Sequence, residues 1–158
     1  MKELTLRELQ LHSLKILKEI HTFCEERGIR YTVAYGTLIG ALRHKGFIPW
    51  DDDIDIVMPR PDYERFIREF RSGWLKVAVP GEDSYQPLAR VYDTRDTLAF
   101  SKYGWKKGER GGVWVDVFPL DSVNDDPEIF DREAEECRQQ WIRLTHMRKR
   151  LSSFTDLR

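Results

Sequence analysis

Four carboxylates crowd into Trp50-Asp51-Asp52-Asp53-Ile54-Asp55-Ile56, and Asp53 and Asp55 are spaced to act together. In a β-strand these two project from one face, about 6.6 Å apart along the chain, while Ile54 and Ile56 project into the opposite, buried side. Further on, Val113-Trp114-Val115-Asp116-Val117-Phe118 sets one acid in an otherwise apolar strand. If the two strands are neighbours, at about 4.8 Å, three carboxylates meet at one spot. Like charges about 4 Å apart repel by about 4 kcal/mol at an effective dielectric of 20, so the meeting needs compensation. Either the carboxyls keep their protons or a divalent cation sits among them, and oxygen ligands with room for water suit Mg²⁺ or Mn²⁺. A lone aspartate of this kind is ordinarily a solvated strand-end residue. The set is not, because Asp116 lies where a strand would otherwise be buried.

Two other acidic motifs compete. Asp51, Asp53 and Asp55 match positions 1, 3 and 5 of a calcium loop, but Ile56 replaces its glycine and Asp62 its bidentate glutamate. The Asp-x-Asp of nucleotide-sugar glycosyltransferases also holds a metal on a diphosphate and stays open as a reading. Upstream, Gly36-Thr37 falls between a strand and a helix start, where free N–H groups and the helix dipole favour an anion such as phosphate. Alone the dipeptide is merely a turn. Here fifteen residues separate it from Asp53-x-Asp55, and that order supplies the specificity.

The elements that must hold these groups follow from periodicity. Thr5 and Glu8 make a capping box. Leu6, Leu9, Ile16, Leu17, Ile20, Phe23 and Cys24 then recur at helical spacing until Gly28, which predicts a long amphipathic helix. Residues 30–35 are β-branched and aromatic, a strand; 38–44 a short helix; 53–58 a strand. Pro59 and Pro61 open a helix with Tyr63, Phe66, Ile67 and Phe70 on one face, ended by Gly73. Residues 75–79, 87–92 and 97–100 are short strand candidates. A Gly-rich basic loop, 102–112, leads into the Asp116 strand, and from Pro127 a last long helix carries Phe130, Ala134, Cys137, Trp141, Leu144 and Leu151 on one stripe. The fold class expected is α+β, a mixed sheet with flanking helices.

Composition narrows the partners. The 158 residues suit one compact domain, residues 1–158, and 26 Lys plus Arg against 27 Asp plus Glu leave no basic field for coating a nucleic acid. Apolar residues at 41% argue against disorder. Cys24 and Cys137, without paired spacing, read as buried free thiols. The start lacks a secretory pattern, and the longest charge-free run, Tyr31 to Leu42, is twelve residues where a membrane span needs about 20. A cytoplasmic chain with no transmembrane segment is expected.

Tyr35-Gly36-Thr37-Leu38-Ile39-Gly40-Ala41-Leu42-Arg43-His44-Lys45-Gly46-Phe47-Ile48-Pro49-Trp50-Asp51-Asp52-Asp53-Ile54-Asp55-Ile56 resembles the signature of the LicD family, and Val115-Asp116-Val117-Phe118-Pro119-Leu120-Asp121 its second block. The resemblance covers nearly all of the chain up to Asp121. It implies a nucleotidyltransferase-like fold, Gly36 and Thr37 on donor phosphates, Asp53 and Asp55 on a metal, and Asp116 as third carboxylate, which either ligates a metal with them or accepts the proton of the attacking hydroxyl. It further implies a nucleotide-diphosphate donor such as CDP-choline and a sugar of a cell-surface glycan precursor as acceptor. Members usually run longer, so the chain is a fragment or a short member.

Basic and aromatic residues complete the candidates. Arg43, His44 and Lys45 either touch donor phosphates or complement the dipole of their helix. Lys102, Lys106, Lys107 and Arg110, and more weakly Arg90 and Arg95, are phosphate candidates of the same kind. Trp50 reads as a core aromatic, and Trp105, Trp114, Tyr103 or Trp50 could cage a quaternary ammonium. Arg148 to Arg150 at the basic helix end either meet a membrane-borne acceptor peripherally or are simply solvated. The functions in play are phospho-alcohol transfer, nucleotidyl transfer from a triphosphate, and non-enzymatic binding of a nucleotide or metal.

Overall fold

A helix, Leu6–Arg27 (α1), begins at Thr5, whose hydroxyl accepts the Glu8 N–H at 3.3 Å while the Glu8 carboxylate accepts the Thr5 N–H at 2.9 Å. It ends at Gly28, whose φ of 61° is the left-handed conformation that favours glycine. The computed structural model describes residues 3–83, 87–98 and 111–155, with side chains described as far as residue 143. Two compact units divide the chain, Met1–Asp121 and Ser122–Arg158.

The first unit is built on five strands: Thr32–Val33 (β1), Asp55–Pro59 (β2), Leu75–Ala78 (β3), Ala89–Asp93 (β4) and Trp114–Leu120 (β5). Their order is β1-β2-β5-β4-β3, with β2 and β5 parallel and every other pair antiparallel. The class is therefore α+β with a mixed sheet. Helix Tyr35–His44 (α2) joins β1 to β2, and Arg60–Glu69 (α3) follows β2.

One face of the sheet buries the alternating apolar residues. Ile54, Ile56 and Met58 from the β2 side meet Val113, Val115 and Val117 of the β5 side and Val91 of β4, all at or below 4% exposure. Ile16, Ile20, Phe23 and Cys24 of α1 and Tyr63, Phe66 and Phe70 from α3 and its cap complete that core. The Phe23 ring meets the rings of Phe66 and Phe70 edge-on at 5.9 and 5.0 Å, which locks α1 to α3. Arg60 clamps the start of α3 to the end of β5 through both carboxylate oxygens of Asp121, at 2.6 and 2.7 Å.

Several sequence expectations need correction. The first strand shrinks to two residues because Ala34 is the extended N-cap and Tyr35, at φ 48°, already turns into α2. β2 begins at Asp55, so Asp53 lies in the segment leading to it, and α3 stops at Glu69 rather than near Gly73. Thr97 and Leu98 are not strand residues, since the Thr97 side chain turns back onto Asp93; residues 99–110, with Tyr103, Trp105 and the basic loop residues 102–110, lie outside the described residues. Trp50 is 77% exposed and no core aromatic.

In the second unit Pro127–Thr155 forms α4, capped by the Asp126 carboxylate, which accepts the Glu128 and Ile129 N–H groups at 2.9 and 3.4 Å. Cys24 is a buried free thiol as expected, but Cys137 is an exposed one. Phe130, Trp141 and Ile142 of α4 are exposed as well.

Candidate active site

The register of the parallel pair decides where the acids go. Asp55 lies directly opposite Asp116, and the Asp116 N–H donates to the Ile54 carbonyl at 2.9 Å. Because Ile54 and Ile56 are buried on the core side, Asp55 and Asp116 project from the other face. Asp53 is near enough to both for charge coupling. Thus the three aspartates singled out from spacing are brought together.

The segment before them adds two carboxylates, Asp51 and Asp52, beyond the trio of Asp53, Asp55 and Asp116. Carboxylate oxygens of Asp51, Asp52 and Asp53 all lie within 4.8 Å of one another. Asp51 also covers the start of α2, for a Cβ added at Gly36 would stand 2.6 Å from its Oδ2. A side chain at Gly36 would push the Asp51 carboxylate aside. Gln10 of α1, 4% exposed, donates to the carbonyls of Asp51 and Ile48 at 2.9 and 3.4 Å and so fixes the acidic segment from below. Its polar type in a buried helix position was the available signal.

Thr37 performs a backbone task. Its hydroxyl oxygen accepts the Asp55 N–H at 2.9 Å, and the Ala34 N–H donates to the Asp55 carbonyl at 3.0 Å, so α2 and β2 are stitched at the site itself. Gly36 and Thr37 fall in the first turn of α2, where N–H groups have no partner within the helix. Arg43 and Lys45 sit at the far end of that ten-residue helix, both exposed, with Lys45 as its left-handed cap at φ 56°. Lys45 does line, with Arg7, Thr37 and Asp51, a largely aliphatic open cavity of about 570 Å³.

The electrostatics are unbalanced. Burial pushes the Asp55 carboxyl up to about 7, with the charges of Asp53, Asp116 and Asp51 adding to it. Burial first, then Asp51, Asp52 and Asp116, raise Asp53 as well, against the pull of its own N–H. Among the described residues neither has a cationic partner. Asp116 differs: Arg90 Nε donates to its Oδ1 at 2.7 Å and Trp114 Nε1 to its Oδ2 at 3.2 Å. Arg90 is therefore placed on a carboxylate, contrary to its reading as a phosphate candidate, and its guanidinium covers the Trp114 ring at 4.5 Å, occupying a face that an ammonium cage would need. Arg95 binds the Gly73 carbonyl instead of an anion.

A family model described as LicD/FKTN/FKRP, nucleotidyltransferase domain, matches residues 28–151, a stretch that contains Gly36, Thr37, the acids from Asp51 to Asp55, Arg90 and Asp116. The chain belongs to this family. It is 38% identical over 156 residues to the lipopolysaccharide cholinephosphotransferase LicD of Haemophilus influenzae, which takes in 95% of this chain and 57% of that protein. Shorter likenesses join it to uncharacterized proteins of Rickettsia typhi, 35% over 60 residues (36% of this chain, 19% of that protein), and Rickettsia prowazekii, 42% over 48 residues (30% and 18%). The chain thus spans little more than half the length of the Haemophilus relative.

The donor set fits a hard divalent cation. Asp53 and Asp55 offer oxygen only, are partly buried, and have no cationic partner among the described residues.

Proposed function

We propose that this LicD-family chain transfers a phosphocholine-like phospho-alcohol group from a nucleotide-diphosphate donor such as CDP-choline to a sugar hydroxyl of a cell-surface glycan precursor. The observation that carries this reading is the uncompensated pair Asp53 and Asp55 set beside Asp116 and the first turn of α2. The name of the Haemophilus relative supplies the group transferred. The reading takes residues 1–158 as one domain on a nucleotidyltransferase-like sheet.

Asp53 and Asp55 would hold Mg²⁺ or Mn²⁺, which when bound neutralises phosphate charge on the donor. Gly36 and Thr37 bind a donor phosphate through the unpaired N–H groups of α2, and the hydrogen of the Thr37 hydroxyl is left to donate because its oxygen already accepts from Asp55. Lys45 offers positive charge on the cavity lining, and Arg43 adds charge in the last turn of the same helix. The acceptor oxygen forms a bond to the distal phosphorus, the bond from that phosphorus to the bridging oxygen breaks, and the nucleoside monophosphate leaves. The protein contributes position and charge, and Asp116 receives the hydroxyl proton. A glycan-precursor acceptor places the work at the cytoplasmic face of a membrane, met peripherally; no helix among the described residues is long and apolar enough to cross one.

The family description favours one second reading, transfer of a nucleotide from a triphosphate by the same carboxylates. Product analysis decides. With Mn²⁺, a panel of donors and a sugar acceptor, the first reading predicts CMP from CDP-choline, and the second predicts pyrophosphate from a nucleoside triphosphate.

A further inference from the structure

Among the described residues Arg90 is the one guanidinium set into the sheet, 7% exposed on a strand that reads Ala-Arg-Val-Tyr-Asp. It stands directly across the antiparallel ladder from Asp116, as Asp55 does on the other side. Three contacts close a triangle: Arg90 Nε to Asp116 Oδ1 at 2.7 Å, Trp114 Nε1 to Asp116 Oδ2 at 3.2 Å, and the guanidinium over the Trp114 ring at 4.5 Å. Both oxygens of Asp116 are therefore held, and its charge is answered within the protein. Asp53 and Asp55 have no such partner among the described residues. A buried ion pair adds little net stability over apolar residues of the same volume, so stability alone does not account for this one.

We propose that Arg90 is a positioning residue that reserves Asp116 for the acceptor hydroxyl: it fixes the carboxylate beside Asp55 and keeps it out of the cation's shell, which Asp53 and Asp55 then supply. The kinetic part of this proposal rests on the transfer reading above; the cation part does not. The two possible functions of Arg90 differ in sign. A guanidinium that merely scaffolds a cation ligand strengthens cation binding, whereas one that occupies the third carboxylate opposes a nearby divalent cation through its own charge.

The test measures Mn²⁺ affinity by electron paramagnetic resonance and, separately, steady-state CMP release from CDP-choline, for wild type, Arg90→Met and Arg90→Lys. Arg90→Met should bind Mn²⁺ about 3- to 10-fold tighter, because a positive charge beside the site is gone. Its kcat should fall by about 30-fold or more with the donor KM held within about 3-fold, since orientation is lost and donor binding is not. Arg90→Lys keeps the charge and loses the planar fork, so its Mn²⁺ affinity should stay within about 3-fold of wild type while kcat still falls. Removing both partners, Arg90→Met with Asp116→Asn, should leave Mn²⁺ affinity within about 3-fold of wild type, where a cation-ligating Asp116 predicts a loss of about tenfold or more.

Weaker Mn²⁺ binding in Arg90→Met, or a raised donor KM at unchanged kcat, overturns the proposal; the second result would put Arg90 on the donor phosphate. If Arg90→Met does not melt cooperatively, Arg90→Lys decides, and weaker Mn²⁺ binding there overturns the proposal equally. If wild type releases no CMP, the transfer reading fails and the Mn²⁺ titrations still judge Arg90.

Discussion

Asp55 sits in an environment that works against its own charge, and two outcomes follow at the residue scale. In cation-free protein its carboxyl keeps a proton up to about 7, while in the unfolded chain it loses it near the ordinary value of 3.8. Between those values the folded state binds more protons than the unfolded one, so raising the pH from about 4 to 7 lowers stability, by about 1–2 kcal/mol for a partly screened group. Denaturant melts in EDTA across that range check the slope. Asp55→Asn should flatten the slope and raise the melting midpoint at pH 8, while cutting transfer by about 100-fold or more through loss of a cation ligand. A variant that melts lower than wild type in EDTA at pH 8 contradicts the crowding account. The acids were legible in the sequence because period-two alternation with Ile54 and Ile56 betrays a strand face. Arg90 was not, since its partner depends on the register of β4 against β5, which neither strand's own sequence encodes.

At the scale of elements, two glycines on α2 make a contrasting pair. A Cβ at Gly40 would meet backbone, the Gly46 carbonyl oxygen at 2.5 Å and the Ile48 nitrogen at 2.9 Å, which cannot swing aside. Gly40→Ala should therefore cost about 2–3 kcal/mol in chemical denaturation. A Cβ at Gly36 meets only the tip of the Asp51 side chain, so Gly36→Ala should melt within about 1 kcal/mol of wild type yet lose donor binding, seen as a raised donor KM. Equal destabilisation by the two substitutions contradicts this reading of the helix start. The capping box of α1 and its Gly28 stop were plain in the sequence because each residue has one local task. The start of α2 was misjudged by three residues because Tyr35 takes a left-handed φ of 48° that its type disfavours, with its ring resting against Phe118 at 5.3 Å.

On the scale of the whole molecule, Asp93 joins distant parts of the first unit. Fully buried, it accepts the Arg95 and Asp96 N–H groups at 2.8 and 3.2 Å and the Thr97 hydroxyl at 2.7 Å, and it lies 3.0 Å from His12 Nε2 of α1, close for charge attraction but off the line of a hydrogen bond. Burial alone would raise its carboxyl, but these donors together outweigh burial and hold it below the ordinary range. Thr97 in turn accepts the Val113 N–H at 2.8 Å, which ties the entry of the Asp116 strand to α1. Asp93→Ala, which takes the shared acceptor from those donors, should cost about 2–3 kcal/mol in denaturant melts. Nothing in the run Asp93-Thr94-Arg95-Asp96 separated this hub from an ordinary turn, because His12 comes from α1 and Val113 reaches it through Thr97.

The most direct measurement compares CMP release from CDP-choline, with Mn²⁺ and a sugar acceptor, by wild type, Asp53→Asn and Asp55→Asn at matched folded concentrations. The account predicts release by wild type and a rate lower by about 100-fold or more in each variant. Wild-type rates in both variants would contradict it.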